Sequence, residues 1–478
     1  MRTPKESALE SAILKVFEHA PTTDQEKAIE QICAFVYSGK NDELLILSGY
    51  AGTGKTSIVG ALVKALVSVN HKSMLLAPTG RAAKVLAGYS KKAAYTIHKK
   101  IYRQKSSSDL DSKFVLDKNL HTNTIFIVDE ASMINSSNYE DSLFGSGSVL
   151  NDLLYYVSTG VNCKLLFVGD SAQLPPVGQE MSAALDMKAL SITGFTPQMS
   201  VLAEVVRQSL ESGILYNATT LRQVVNNESM SFLYAQLKLE GFSDIVRIGG
   251  GELIEEISSC YDAFGLEETM IITRSNKRAI RFNQGIRNTV LYQENEICVG
   301  DMIIVVKNNY YWSEGFDIEF IANGDIAKII RIKNYEEMHG YRFANVSLEF
   351  CDYNNIEIDC KIILDTISME TPALNREQNK ALYLSVAADY EYVANKAKRW
   401  RAIKSDKYFN ALQVKHAYAL TCHKAQGGQW KACFIDQGYL VEEMLNKEYY
   451  RWLYTAFTRA QEKLYLVNFN KEFFEDEL

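Results

Sequence analysis

Two short stretches of this 478-residue chain carry residue types suited to chemistry on a phosphate chain. Gly49-Tyr50-Ala51-Gly52-Thr53-Gly54-Lys55-Thr56 has the spacing G-x-x-x-x-G-K-[ST], the phosphate-binding loop. Its glycines let backbone N–H groups turn inward around a phosphate, and a helix start adds the positive end of its dipole. Lys55 would reach the outer phosphates and Thr56 would hold Mg²⁺. The second stretch is Asp129-Glu130. Beside a phosphate loop, Asp129 can hold the same Mg²⁺ and Glu130 can orient and activate an attacking water. A kinase needs no second carboxylate of that kind, so the pair points to hydrolysis of a nucleoside triphosphate. Two further residues suit the outermost phosphate: Gln173, in Gly169-Asp170-Ser171-Ala172-Gln173, and Arg207, although composition alone makes Arg207 a surface residue. Gln25 could donate to and accept from an adenine edge, or simply decorate a first helical turn.

These residues need a scaffold, and the pattern supplies one. Leu44–Ser48 is an apolar run of strand length before the loop, and Ser57–Val69 has helical spacing after it. Ser73–Ala77, Thr124–Val128 and Lys164–Val168 repeat the pattern of buried parallel strands, each ending at a candidate functional residue. Pro78-Thr79-Gly80-Arg81 follows the first of them. There a hydroxyl and a guanidinium at a helix start suit a phosphodiester. Tyr95 to Lys105 interleaves basic and aromatic residues, which suits single-stranded nucleic acid as well as it suits a solvated helix face. Ser106–Asn123 reads as a polar excursion, a hairpin.

A second α/β region starts near Met270 with the strand Met270–Thr273 and a helix containing Asn283 and Arg287. Short β-rich runs then occupy residues 302–364, separated by turns such as Asn323-Gly324-Asp325, and predict a small inserted barrel. A charged helical segment over 374–404 carries the most basic cluster, Lys396-Ala397-Lys398-Arg399-Trp400-Arg401. The α/β pattern returns with strands at Val414–Leu420, Ala432–Asp436 and Leu464–Val467 and a helix at Glu448–Phe457. The acidic tail Phe473–Leu478 reads as solvated.

Length and composition bound the rest. The chain is long enough for three to four domains, with 47% hydrophobic and 23% charged residues, a globular balance. A net charge of −7 gives no global pull toward nucleic acid, so any such site is a local basic strip. Eight scattered cysteines with no C-x-x-C pair argue against a zinc site or disulfide scaffold and suit a reducing compartment. Met1–Ala20 alternates like an amphipathic helix and lacks a signal peptide's apolar core. No apolar run reaches membrane-spanning length, so a cytoplasmic protein without membrane partners is expected.

In order, Gln25, Gly49–Thr56, Ala77–Ala83, Asp129–Met133, Gly169–Val177, Val206–Gln208, Tyr418–Gly427 and Tyr454–Ala460 resemble the motifs of superfamily 1 nucleic-acid helicases. The likeness is to the RecD-like branch that includes the phage Dda and Pif-type helicases, and it spans roughly residues 20–470. The resemblance implies an α/β fold of two RecA-like P-loop NTPase domains with parallel sheets, an inserted SH3-like β-barrel and a pin insertion. Expected boundaries are 1–210 for the first RecA-like domain, with the pin at about 99–123, and 211–300 for the first part of the second. The barrel and helical arm take 301–410, and 411–478 completes the second domain. By the family pattern ATP lies in the cleft, against Gln25, Gly49, Ala51, Gly52, Thr53, Gly54, Lys55, Thr56, Ser57 and Gly427. Lys55, Asp129, Glu130, Gln173, Arg207 and Arg459 form the catalytic set, with Mg²⁺ on Thr56 and Asp129. Pro78, Thr79, Arg81, His98, Asn276, Thr421 and His423 line the DNA track. The implied activity is ATP-driven movement along single-stranded DNA, 5′ to 3′, opening duplex at single/double-strand junctions. Replication or repair proteins would be partners, and one chain would suffice as a monomer. An RNA or hybrid helicase, a nucleotide-switched clamp and a subunit of a larger repair complex are the alternatives.

Overall fold

The computed structural model describes residues 3–17, 19–40, 42–104, 114–136, 145–206, 211–227, 234–316, 318 and 320–475. Two all-parallel sheets form its frame. The first has six strands in the order Ala94–Thr96, Lys72–Ala77, Thr124–Val128, Lys164–Gly169, Glu43–Gly49, Thr196–Leu202. Glu43–Gly49 and Lys164–Gly169 are buried along their whole length, as strands covered on both faces must be. One face packs on helices Thr23–Tyr37 and Lys55–Ser68, through Ile29, Ile32, Ile58 and Leu62. The other packs on helix Val149–Ser158, through Leu150, Leu153 and Leu154. The N-terminal helix is Pro4–Val16, closed by a Thr3/Glu6 capping box.

The second sheet has five strands in the order Ala419–Thr421, Thr269–Thr273, Trp430–Asp436, Ala460–Val467, Ile245–Ile248. Between its strands the chain detours through a closed barrel of Met302–Val305, Ile326–Met338, Tyr341–Phe350, Ile356–Ile363 and Leu412–His416. Helices Arg376–Ala388 and Lys396–Lys404 pack on the barrel through Leu382, Val386, Trp400 and Ile403. A two-stranded hairpin, Tyr102–Gln104 with Phe114–Leu116, leaves the first sheet, and its tip lies outside the described residues. The architecture is α/β: two RecA-like lobes, an inserted barrel and a hairpin insertion.

Three details differ from the sequence reading. The apolar run Val414–Leu420 is two strands in two sheets. Leu412–His416 closes the barrel, Ala417 N–H donates to Met302 of the barrel's first strand, and Ala419–Thr421 joins the second lobe. Periodicity within a run cannot show the chain crossing between sheets. Second, the acidic tail is not solvated at its start. Phe473 and Phe474 are buried in the second lobe's core, where Leu237 bridges to Phe474, while residues 476–478 lie outside the described residues. Third, Thr196–Leu202 is a sheet-edge strand that carries Pro197, a residue tolerated only where one side of the ladder is free.

Candidate nucleotide site and nucleic-acid track

The loop Tyr50–Gly54 joins the strand Glu43–Gly49 to the helix Lys55–Ser68. Gly52 and Gly54 have φ of +73° and +85°, in the left-handed region that glycine enters without steric cost. Lys55 Nζ donates to the carbonyls of Gly49 and Tyr50 at 2.7 and 2.8 Å and lies 4.0 Å from Asp170 Oδ2. Thr53 Oγ1 donates to Tyr50 O at 2.8 Å. Thr56 and Ser57 are exposed on the helix's first turn. Gln25 is buried, and both ends of its amide are engaged. Its oxygen accepts from Thr22 N–H at 2.9 Å in a capping box, and Nε2 donates to Thr53 O at 3.0 Å. A Cβ at Gly54 would sit 2.3 Å from Gln25 Nε2, so glycine there admits this brace. Gln25, Thr56, Ser57, Lys64 and Tyr89 share the wall of a cavity of about 210 Å³ beside the loop.

Asp129 and Glu130 follow the strand Thr124–Val128 directly. Asp129 Oδ2 accepts from the Tyr89 hydroxyl at 2.6 Å and Oδ1 from Glu130 N–H at 2.9 Å. Glu130 is left-handed, φ 51°, an uncommon conformation for a non-glycine residue. Desolvation raises both carboxyl pKa values. Lys55 and the Tyr89 hydroxyl oppose the shift at Asp129, and Arg459 opposes it at Glu130. Two oxygen donors, one carboxylate and one hydroxyl, suit a Mg²⁺ shared with phosphate oxygens. Among the described residues no larger His/Cys/Asp/Glu cluster suggests another metal.

The second lobe completes the site. Tyr454, on helix Lys447–Phe457, donates to Asp170 Oδ2 at 2.6 Å, and its oxygen accepts from Ala51 N–H of the phosphate loop at 2.9 Å. Thr455 Oγ1 accepts from Leu174 N–H at 2.8 Å, and Gln426 Nε2 donates to Leu174 O at 2.7 Å. The loop that carries Gln173 is therefore held from the second lobe, while the Gln173 oxygen is buried without a partner among the described residues. Arg459 is buried and hydrogen-bonded to Thr455 O, Gly428 O and Thr458 Oγ1, close enough to Glu130 to act on its charge. Arg207 lies outside the described residues; just before it, Val206 N–H donates to Gly52 O at 3.0 Å.

The residues read for nucleic acid fall into two groups. Pro78 and Thr79 end the strand Lys72–Ala77, and Thr79 caps the helix Gly80–Ser90. Arg81 stacks on Trp430 of the second lobe at 4.1 Å and donates to Gln429 O at 3.0 Å. Gly427 lies against this junction, where a Cβ would be 3.1 Å from Thr79 Oγ1. The same Cβ would be 3.6 Å from Met133 Sδ, three residues after Glu130. His98, in the short helix Ile97–Ile101, has its pKa pulled down by burial to about 4 and is neutral at pH 7. In the second lobe, Asn276 and Thr421 line one recess with Lys415 and Lys424. His423, between Thr421 and Lys424 in the chain, is exposed. Burial holds Lys424 and Lys415 down to about 8.

Three contributors were not singled out from the sequence. Tyr89 and Tyr454 act on residues 40 and 284 positions away, which no local pattern reveals; Tyr454 did lie within a quoted motif. Lys424 carried a signal, a basic residue inside Thr421–Gly427.

A phosphate loop, an acidic pair at the next strand end and a second RecA-like lobe closing over them define a P-loop NTPase. Family models for an AAA domain and a UvrD-like helicase C-terminal domain match residues 21–239 and 416–467. The ATP-dependent RecD2 DNA helicase of Deinococcus radiodurans is 23% identical over 439 residues, covering 88% of this chain and 46% of that protein. The ATP-dependent DNA helicase dda of Enterobacteria phage T4 is 25% identical over 308 residues, 59% of this chain and 62% of that one. A Pif1 helicase from Bacteroides, solved with ADP-AlF3 and ssDNA, aligns at 15% identity, covers 96% of this chain and 95% of its own, and has a TM-score of 0.47. The chain thus spans about half the length of the two named curated relatives. These matches support a superfamily 1 helicase of the Pif1/RecD-like branch as what the chain is most like.

Proposed function

We propose that this chain is an ATP-dependent DNA helicase that translocates on single-stranded DNA 5′ to 3′ and opens duplex at junctions. The observation that carries the reading is Tyr454, which hydrogen-bonds both Asp170 and the phosphate-loop amide of Ala51 from the opposite lobe. A nucleotide bound there senses the position of both lobes. On this reading the loop amides and Lys55 cradle the phosphates, and Thr56 with Asp129 hold Mg²⁺. Held by these two residues, Mg²⁺ would supply positive charge against the phosphate oxygens. Glu130, kept basic by burial, orients the water and takes its proton. Gln173, Arg207 and Arg459 meet the outer phosphate when the cleft closes, and Gln25 orients the base.

Closure also changes the track, because Arg81 joins the first lobe to Trp430 of the second. Thr79, Arg81 and His98 form one grip, and Asn276, Thr421 and His423 the other, so each ATP cycle moves one grip relative to the other. The hairpin root supports a role in strand separation: Phe114 packs on Tyr310 of a barrel loop with centroids 4.5 Å apart, which braces the hairpin. The family likeness supplies the polarity and the preference for DNA. Strand separation with ATP, on one duplex with a 5′ tail and another with a 3′ tail, tests this. Opening of the 5′-tailed duplex alone is expected. Opening of the 3′-tailed one alone would overturn the polarity, and ATP turnover without opening of either would favour a clamp or a partner-dependent subunit.

A further inference from the structure

Behind the catalytic loops lies a second cavity, of about 200 Å³, lined by Ser132, Asp170, Gln173, Lys447 and Arg451 among others. Three of its wall residues hold buried polar atoms without partners among the described residues: Ser132 Oγ, Gln173 Oε1 and Arg451 Nε. Those residues are 1%, 7% and 9% exposed. A buried polar group left unpaired is costly, so three around one cavity point to a ligand that satisfies them together. The charge balance gives its sign. Lys447 and Arg451 contribute two cations, while the carboxylate of Asp170 is already engaged by Tyr454 and by Ala172 N–H. Ser132, Arg451 and Lys447 donate; Gln173 offers an acceptor. A small oxyanion that carries one O–H fits this set, and hydrogen phosphate is such an ion at neutral pH.

We infer that this cavity receives the inorganic phosphate released by ATP cleavage and holds it on its way out of the cleft. The inference rests on the ATPase reading above. Its location supports it: Asp170, in the cavity wall, lies 4.0 Å from Lys55 Nζ, so the cavity is one residue's width from the phosphate loop. Both cations come from the helix Lys447–Phe457 of the second lobe, and the remaining wall is largely first lobe. Parting of the lobes therefore dismantles the site and frees the ion.

The experiment separates cleavage from release. The full chain is mixed with ATP and single-stranded DNA. Cleavage is followed by acid quench and free phosphate by a fluorescent phosphate sensor, for wild type, Lys447→Ala and Arg451→Gln. Cleavage is expected to be unchanged, while the rate of phosphate appearance changes about tenfold in each variant, the factor that follows loss of one charge-assisted hydrogen bond. Added inorganic phosphate should inhibit wild-type turnover more than Lys447→Ala turnover, and sulfate, without an O–H, should inhibit less than phosphate. Lys447 is half-exposed, so its variant keeps the test alive if Arg451→Gln does not fold. Normal cleavage with unaltered phosphate appearance in Lys447→Ala would overturn the phosphate site alone. Equal inhibition by sulfate would overturn the assignment to hydrogen phosphate. Absence of ATP cleavage by wild type would overturn the ATPase reading, and this inference with it.

Discussion

The two joints of this molecule are built differently. Where the barrel leaves the second lobe, Arg287 Nε and Nη2 each meet Asp301 at 3.0 Å, and both residues are buried. Asp301 accepts further bonds from the Tyr418 hydroxyl at 2.8 Å and Cys298 N–H at 2.6 Å, and Arg287 donates to Asn295 O at 2.6 Å. Asn283 clamps the neighbouring strand, accepting from Tyr418 and Ala419 N–H and donating to Ala419 O. Every charge at this joint is paired. Between the lobes, by contrast, single bonds predominate, from Tyr454, Thr455, Gln426 and Arg81, and the buried Gln173 oxygen beside them has no partner among the described residues. A fully satisfied buried network resists motion, whereas a seam of separate bonds can exchange them for a ligand or for water. The barrel root is built as a fixed joint, and the nucleotide cleft as a moving one.

The largest effect comes from breaking the fixed joint. Arg287→Ala leaves Asp301 buried and unpaired, and chemical denaturation should record a loss of about 3–5 kcal/mol. A change below about 1 kcal/mol would show that the root is looser than its contacts suggest.

The barrel also touches the first lobe, and that contact is pH-sensitive. Asp325, pushed up to about 7 by burial, accepts from the Tyr353 hydroxyl beside Gly80, at the start of the helix that Thr79 caps. With the folded value above the unfolded one, the protonated carboxyl favours the folded state. This contribution is complete below the unfolded pKa near 4 and disappears as pH rises through about 7. The stability of Asp325→Asn relative to wild type should therefore increase from pH 5 to pH 8 in thermal melts. A constant difference would contradict the assignment.

A smaller effect is expected at Tyr89. Tyr89→Phe removes the hydrogen bond that holds the Asp129 pKa down, so Asp129 protonates at a higher pH. The acid limb of ATP turnover should shift upward while turnover at pH 8 changes little. An unmoved limb would mean that Asp129 is not needed ionised.

Much of this was legible in the chain, for identifiable reasons. The first lobe's central strands are continuous apolar runs that end at motif residues, and both the run and the motif are local. Thr124–Val128 falls where the run does. Edge and crossing elements were less legible. Thr196–Leu202 contains Pro197 and Gln198, and Ile245–Ile248 contains Arg247, because an edge strand need not be apolar on both faces. The division of the run over 412–421 between barrel and sheet depends on Asp301 and Met302, far away in sequence. In the site, the motifs supplied the groups that face phosphate. The groups that hold them, Tyr89 and Tyr454, are defined only by the fold. The tail was misread because its acidic residues masked Phe473 and Phe474, which the second core needs.

The central claim is that the nucleotide site works only as a joint of two lobes, and Tyr454→Phe tests it most directly. The substitution removes the donor to Asp170 and the acceptor for Ala51 N–H while keeping the ring. ATP turnover would be measured with and without single-stranded DNA, alongside nucleotide binding. The account predicts nearly unchanged binding and a loss of about tenfold or more in DNA-stimulated turnover, the scale of one buried charge-assisted hydrogen bond. Wild-type stimulation in the variant would contradict it.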